Sequence, residues 1–181
     1  MGEFLLFLKK HKFGVLFILI ILIAFILRFY NYENRWGLAY DQARDVIVAR
    51  EALKSFQLPL IGPFSSAGEF VYGPQWFWIL MVLVSIYPYS VITPWIMQTL
   101  LYVAVVGLAI IIGKDIHSKK LGLILGFLTA ISTSQVSHAT NLTSPSMVGI
   151  FAFVAIYFFV RYIKTGFIKN AFWMAFIVGT S

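Results

Sequence analysis

Cysteine is absent from this chain of 181 residues. Without thiolate ligands the protein forms no disulfide, no iron–sulfur cluster and no thiolate zinc site. Charge is also scarce, because only 12% of the residues are charged and only seven are acidic. The three histidines, His11, His117 and His138, are scattered along the chain. No metal cluster is expected from them, and no cofactor is predicted.

Apolar residues dominate the composition instead. Of the chain, 60% is hydrophobic and 18% aromatic, and the mean hydropathy is +0.87. A soluble domain of this size cannot bury so much apolar surface, so we expect an all-α polytopic membrane protein. The formal net charge of +7 would suggest nucleic-acid binding in a soluble protein. Here we attribute it to membrane topology, because cytoplasmic loops collect Lys and Arg, and we expect no nucleic-acid partner.

Long apolar segments predict the membrane-spanning helices. They lie at about 13–30, 94–112, 120–136 and 146–163, and a further one at 170–181 is incomplete. The basic stretch KKHK precedes the first segment, but no small-x-small cleavage site follows it, which favours a retained helix over a signal peptide. Arg28, at the end of that helix, is expected to extend to the membrane surface. Because the chain stops inside an apolar segment, we expect the N-terminal portion of a larger fold.

A polar stretch, residues 31–93, follows the first span and is predicted to lie outside the membrane. Apolar side chains recur in it at helical spacing between residues 43 and 56, at Val46, Ala49, Leu53 and Phe56. This pattern indicates an amphipathic helix, 43–56, on the membrane surface. A second apolar segment, 75–88, is predicted to be a short helix that does not cross, because a span needs about 20 residues.

The distribution of charge decides whether residues 75–88 cross the membrane. If they do not, the loops GKDIHSKK (113–120) and RYIKTGFIKN (161–170) lie on the same side as the N-terminus. That side then carries nine basic and two acidic residues, whereas the outside carries five of each. If they do cross, GKDIHSKK lies outside. The positive-inside rule prefers the first arrangement, with a cytoplasmic N-terminus and two outside loops, 31–93 and about 135–146.

Charged residues concentrate in YDQARD (residues 40–45), soon after the first span. One interpretation makes Asp41 the N-cap of the following helix, with Arg44 and Asp45 on its solvated face. The other makes Asp41 a general base, since desolvation at the bilayer edge raises the pKa of a carboxylate towards a useful range. Arg44 would then neutralise an anionic group such as phosphate. The two interpretations are compatible.

The aromatic sequence FVYGPQWFW (70–78) also has two interpretations. Gly73 and Pro74 are typical of a helix start, and Tyr72, Trp76 and Trp78 form an interfacial aromatic belt. Exposed aromatic rings also stack on the faces of sugars. Dinucleotide-binding, phosphate-loop and metalloprotease motifs do not occur in the chain.

The order of these features resembles the N-terminal part of the GT-C-type membrane glycosyltransferases. The features are a basic N-terminus, one span, YDQARD, an amphipathic helix, LPLIGP (58–63), YGP (72–74) with aromatic residues, and spans around GKDIHSKK. The nearest group is similar to the bacterial relatives of protein O-mannosyltransferases and of the lipid A aminoarabinose transferase. The resemblance covers nearly the whole chain. Its most specific parts are DQARD and LPLIGP followed by YGP at this spacing.

The resemblance implies a GT-C-like helical bundle with juxtamembrane helices in the first outside loop. It implies inverting transfer of a sugar from an isoprenoid-phosphate donor to a lipid, glycan or protein acceptor at the outer face of the plasma membrane. Membrane lipids are the further expected partner. Asp41 would activate the acceptor hydroxyl. The candidate substrate-binding residues are Arg44, Asp45, Glu69, Tyr72 and Asn141.

The sequence departs from the resemblance in the next outside loop. Many members carry a second acidic residue there, whereas this chain has TNLTSPSM (140–147) and offers Asn141 or Ser144 instead. A divalent metal therefore has no support. Two other classes stay open, a transporter-like bundle for a small polar or anionic solute and a non-catalytic membrane scaffold. The predicted spans hold no acidic residue and no Lys or Arg at mid-membrane, which disfavours transport.

Overall fold

The computed structural model of the protein describes residues 11–37, 39–64, 68 and 71–180. In these residues the chain forms helices and no β-strand, which confirms the predicted all-α class. A 3₁₀ turn lies at Tyr32–Asn34. The α-helices in the described part are α1 (Lys12–Phe29), α2 (Tyr40–Ser55), α3 (Gln75–Ser85), α4 (Thr93–Ile116), α5 (Lys119–Ile131), α6 (Thr133–Ala139), α7 (Ser144–Thr165) and α8 (Ile168–Thr180).

Three of these helices, α1, α4 and α7, are long and apolar enough to cross a membrane. Their mean hydropathies are 2.6, 2.3 and 1.9. Helix α1 leaves large apolar side chains such as Leu22 and Ile26 about half exposed. Extended apolar surface of this kind suits contact with lipid rather than with water. The three helices are consistent with an integral membrane protein.

The basic loops gather at one end of the helical bundle, which we call the basic end. Lys119, at the start of α5, places its Nζ 5.6 Å from the centroid of the Phe13 ring near the start of α1. Arg161 of α7 pairs with Asp115 of α4 at 3.7 Å. Helix α1 runs away from the basic end, whereas α4 and α7 run towards it. The end of α1 and the starts of α4 and α7 therefore lie at the opposite end, together with α2.

The predicted span 120–136 is two helices in the structure. Helices α5 and α6 meet at Ser132 with a bend of 59°, and Ser132 has an extended backbone with ψ of 117°. The Ser132 hydroxyl caps α6 by accepting a hydrogen bond from the Gln135 N–H at 3.5 Å. Because this serine stabilises a new helix start, the Ser/Thr-rich end of the segment turns instead of continuing in line with α5.

Arg28 is buried inside the bundle, and the expectation that it extends to the membrane surface is wrong. None of the residue is exposed. Its Nη1 donates to the carbonyl oxygens of Ala130 at 3.1 Å and Ala24 at 3.2 Å, and its Nη2 donates to that of Thr129 at 3.3 Å. Carbonyls in the last turn of a helix lack intrahelical partners and carry partial negative charge. The break at Ser132 creates such carbonyls inside the protein, and Arg28 satisfies them.

Helices α4 and α5 approach each other closely along Gly113, Gly122 and Gly126, which we call the glycine seam. A Cβ atom at Gly122 would overlap the backbone carbonyl oxygen of Ile110, and one at Gly126 would overlap the Ile110 side chain. Small residues let helix backbones come together in membrane proteins, where dispersion contacts rather than water exclusion drive association. The seam therefore fixes α5, and with it the bend that leads into α6.

Gly122→Ala is expected to destabilise the protein by about 1–3 kcal/mol, the usual cost of overpacking a close interface. The new methyl group meets backbone atoms of α4, which move only if the two helices separate. The measurement is the free energy of unfolding in micelles, by titration with a denaturing detergent. Gly14→Ala on α1 is the matched control, because its Cβ position has no neighbour within 4 Å. Equal losses of stability in the two variants would contradict the role of the seam.

The chain between α1 and α4 folds into α2 and α3, which pack against each other. Helix α2 begins at Tyr40, earlier than the predicted segment 43–56. Phe56 is the C-cap of α2, in a left-handed conformation (φ 53°), and is 96% exposed, so it lies just past the end of the helix. Val46 and Ala49 of the predicted apolar face are buried, and Asp45 is buried beside them. Helix α3 has 11 residues, about 16 Å of length, and is too short to cross a hydrocarbon core of about 30 Å.

Candidate functional site

A cleft of about 270 Å³ lies at the end of the bundle opposite the basic end. We call it the Asp41 cleft. It opens where α2 and α7 begin and where α6 ends. The lining residues are Asp41, Arg44, Asp45, Pro63, Phe64, Tyr72, His138, Asn141, Thr143, Ser144 and Pro145. These residues come from distant stretches of the sequence and provide two carboxylates, a guanidinium, an imidazole and hydroxyl groups in one place.

Most of the residues that the sequence singles out line this cleft. They are Asp41, Arg44, Asp45, Tyr72 and Asn141. The first three come from the start of α2, the fourth from the loop before α3 and the last from the connection between α6 and α7. Glu69 lies outside the described residues. The fold thus brings YDQARD next to the connection between α6 and α7, and the roles of these side chains stay predictions.

Asp41 is the exposed carboxylate of the cleft, with 62% of its side chain accessible. It is not the N-cap of α2, so that interpretation is wrong. The N-cap is Ala39, whose N–H donates to Oε1 of Gln42 at 3.4 Å. Asp41 lies one residue inside the helix, where the helix dipole still favours a negative charge. Its Oδ1 lies 3.1 Å from Nη1 of Arg44.

Asp45 holds neighbouring parts of the cleft together. Only 7% of its side chain is exposed. Its Oδ2 accepts a hydrogen bond from Nε1 of Trp76 at 2.7 Å, which ties α2 to α3. Its Oδ1 accepts from Nε and Nη2 of Arg44 at 2.9 and 2.8 Å. With both oxygens engaged, Asp45 positions Arg44.

Arg44 lies between the two carboxylates, and 34% of its side chain is exposed. Partial burial acts to lower its pKa, but the hydrogen bond and the charge of Asp45, followed by the charge of Asp41, raise the pKa above its usual value. Arg44 is therefore a permanent cation in the cleft. A guanidinium has five N–H donors, of which two are used by the hydrogen bonds to Asp45, while Nη1 forms the ion pair with Asp41.

Asn141 is positioned by two glutamines. Gln98 of α4, which is completely buried, donates from Nε2 to the carbonyl oxygens of Asn141 at 2.8 Å and His138 at 2.9 Å. Gln42 of α2 donates from Nε2 to Oδ1 of Asn141 at 2.7 Å. The first interaction fixes the backbone of the connection between α6 and α7. The second fixes the Asn141 side chain against α2.

His138 also lines the cleft, although its position in the sequence does not single it out as a site residue. Its Nδ1 lies 3.1 Å from Oγ of Ser146, and that hydroxyl lies 3.0 Å from Oγ1 of Thr143. The bend at Ser132 brings the end of α6, where His138 lies, to the cleft. The one available signal in the sequence is the prediction that residues 135–146 lie on the same side of the membrane as YDQARD.

Helix α7 begins at the cleft, with Thr143 as its N-cap. The Thr143 side chain makes no capping hydrogen bond to the helix backbone and pairs with Ser146 instead. The N-terminus of a helix carries unsatisfied N–H groups and a partial positive charge. In the first turn of α7, Pro145 has no N–H and the Ser146 N–H donates to the Thr143 carbonyl oxygen at 3.1 Å. The start of α7 therefore contributes mainly its partial positive charge, which together with Arg44 favours an anion next to the exposed carboxylate of Asp41.

The cleft does not have the donor set of a metal site. Within the described parts of the chain, no group of three His, Asp or Glu side chains could hold a metal ion. Asp41 and Asp45 are both bound to Arg44, and Asp45 is also bound to Trp76. These side chains suit proton transfer and anion binding.

Comparison of the chain with protein-family models, with curated proteins and with solved structures gives no match in any of the three. What the protein does is therefore inferred from the cleft itself.

Proposed function

We propose that the protein is an integral membrane glycosyltransferase with the Asp41 cleft as its active site. The oxygen of an acceptor hydroxyl attacks the anomeric carbon of a sugar carried on an isoprenoid phosphate. The bond from that carbon to the phosphate oxygen breaks, the configuration inverts, and isoprenyl phosphate leaves with the bonding electrons. The hydroxyl proton passes to the carboxylate of Asp41, which acts as general base.

The observation that carries this proposal is an exposed carboxylate beside an anion site in one cleft. Asp41 is mostly accessible, as a general base must be to reach a substrate hydroxyl. Nearby, Arg44 and the start of α7 favour a negatively charged group. A sugar phosphate placed there would put its anomeric carbon close to the base, and an inverting transfer needs these two elements together.

Arg44 is the proposed ligand of the donor phosphate. Its position is fixed by Asp45, so little conformational entropy is lost when a ligand binds. The planar guanidinium holds its remaining N–H donors in a fixed arrangement that matches the oxygens of a phosphate. Tyr72 supplies an aromatic wall at the cleft. We assign Tyr72 to contact with the sugar, and Asn141 to a hydrogen bond with it through its amide nitrogen.

The proposed orientation in the membrane follows from the separation of the two ends. Lys119 and Arg161 mark the basic end, and cytoplasmic loops collect such residues. We therefore place the N-terminus in the cytoplasm and the Asp41 cleft at the outer face of the plasma membrane. Isoprenoid-linked sugars then reach the cleft from within the bilayer, and a lipid, glycan or protein acceptor reaches it from outside.

Arg28 is the buried charged residue of α1, and a transport function would draw on it, since buried charges within spans often mark solute pathways. Its Nη1 and Nη2 donate to backbone carbonyl oxygens of α5 and of α1 itself. These hydrogen bonds give Arg28 a structural role, so its burial does not favour the transporter hypothesis.

The test is sugar transfer by the full chain reconstituted in liposomes. The donors are radiolabelled polyprenyl-phosphate hexoses and pentoses, and the acceptors are short oligosaccharides, a Ser/Thr-containing peptide and a glycolipid. We expect label to move to one acceptor class while an equal amount of polyprenyl phosphate is released. Donors that all stay intact, with protein that still shows a cooperative unfolding transition, would overturn the proposal.

A further inference from the structure

A second cleft, of about 420 Å³, lies beside the Asp41 cleft. We call it the Trp36 cleft. Its lining residues are Arg35, Trp36, Gly37, Ala39, Gln42, Ser137, Thr140 and Asn141. Asn141 lines both clefts. The hydrogen bond from Nε2 of Gln42 to Oδ1 of Asn141, at 2.7 Å, joins α2 to the second outside loop where the clefts meet.

Arg35 does not make the Trp36 cleft an anion site. Its Nη1 donates to the carbonyl oxygens of Leu27 at 2.9 Å, Arg28 at 3.2 Å and Tyr30 at 3.4 Å. Its Nη2 donates to that of Val136 at 2.6 Å. The guanidinium thus stabilises the end of α1 and the carbonyls of α6. Among the described residues that line this cleft there is no Asp or Glu either, so a cation has no counter-charge.

The other polar groups of the Trp36 cleft are uncharged. Gln42 and Asn141 carry amides, and Ser137 and Thr140 carry hydroxyls, so donors and acceptors are both present. Trp36 adds an aromatic wall, held by edge-on packing against Trp95 with the ring centroids 5.6 Å apart. An apolar ring surface with surrounding amides and hydroxyls complements a ligand that has C–H faces and many hydroxyl groups.

We propose that the Trp36 cleft binds a neutral sugar, the acceptor glycan of the transfer reaction. The acceptor role rests on the proposed function, whereas binding of the sugar does not. Asp41 precedes Gln42 on α2, and Asn141 borders both clefts. A hydroxyl of a sugar in the Trp36 cleft therefore needs to extend only past the Gln42–Asn141 pair to reach the base. Of the acceptor classes that stay open, this cleft selects the glycan.

The test is direct binding of sugars to the full chain in micelles, by saturation-transfer difference NMR. The probes are short oligosaccharides of glucose, mannose and N-acetylglucosamine. Ser137→Phe fills the cleft from an exposed position on α6 and is expected to reduce the signal of the bound oligosaccharide by about tenfold or more. Ser134→Phe is the matched control, since Ser134 is exposed on the same helix and does not line the cleft. Its signal should equal that of the unmodified protein.

Three results would overturn the assignment: no bound oligosaccharide with the unmodified protein, an unchanged signal with Ser137→Phe, or equal losses in both phenylalanine variants. Because no donor is present, the result is independent of catalysis. Sugar binding without transfer in liposomes would refute the proposed function and leave this inference intact. A rate of sugar transfer that does not change with Ser137→Phe would refute this inference and leave the proposed function intact.

Discussion

Asp41→Asn is expected to lower the rate of sugar transfer by about 10²–10⁴-fold, the usual contribution of a general base. The amide has nearly the same shape as the carboxylate but cannot accept the proton of the attacking hydroxyl. Asp41 is largely exposed, so the substitution should leave folding almost unchanged, since exposed ion pairs contribute only about 0–1 kcal/mol. The measurement is the initial rate of label transfer in liposomes, together with the unfolding transition of the same preparation.

Glu51→Gln is the matched control for Asp41→Asn. Glu51 lies on the same helix, its side chain is 64% exposed, and it pairs with Lys54 at 2.9 Å. The substitution removes the same charge from α2 without touching the cleft, so the rate should stay within about twofold of the unmodified protein, well below the effect of losing a base. Equal rates for the two variants would remove Asp41 from the mechanism.

Asp45→Ala is expected to lower the free energy of unfolding by about 1.5–3 kcal/mol, the range for hydrogen bonds to charged groups. The substitution leaves the indole N–H of Trp76 buried without its acceptor. It also releases Arg44, which loses two hydrogen bonds. The measurement is again denaturing-detergent titration, and sugar transfer should fall because Arg44 is no longer positioned for the donor phosphate.

Trp76→Phe separates the contact with Asp45 from general packing. This substitution removes the N–H donor together with the five-membered part of the buried indole, and the double-mutant cycle cancels the packing loss because the loss occurs with and without Asp45. In a double-mutant cycle of Asp45→Ala with Trp76→Phe, we expect a coupling free energy of at least about 1 kcal/mol, as for residues in one hydrogen-bonded network. A coupling near zero would mean that the bond of 2.7 Å between Trp76 and Asp45 does not join α2 to α3 in solution.

Hydropathy predicts the long helices because each depends on residues that are neighbours in sequence. The segment 13–30 becomes α1, and 146–163 becomes α7 with small changes of boundary. Hydropathy does not predict the break at Ser132, because an average over a window of residues does not show that one serine starts a new helix. Hydropathy does not predict the burial of Arg28 either, because Arg28 binds the carbonyl of Ala130, which lies about a hundred residues away in the sequence.

Some residues of the candidate site can likewise be predicted from the sequence, and others cannot. Asp41 and Arg44 are apparent in the sequence as charges in an apolar chain, and the cleft contains both. The positioning role of Asp45 depends on Trp76, a residue of the next helix, and no spacing in YDQARD indicates it. His138 enters through the bend in α5–α6, so its place could be predicted only from the fold. The Trp36 cleft likewise depends on a contact between α2 and the connection between α6 and α7.

The glycine seam has a consequence for how copies of this protein associate. GLILG, residues 122–126, has the small-xxx-small pattern by which two membrane helices of separate chains commonly dimerise. Here Gly122 and Gly126 are covered by Ile110 of the same chain. A second copy cannot use that motif unless α4 first moves away. Self-association of this protein therefore has to proceed through another face, and substitutions in GLILG report on the folding of one chain rather than on the pairing of two.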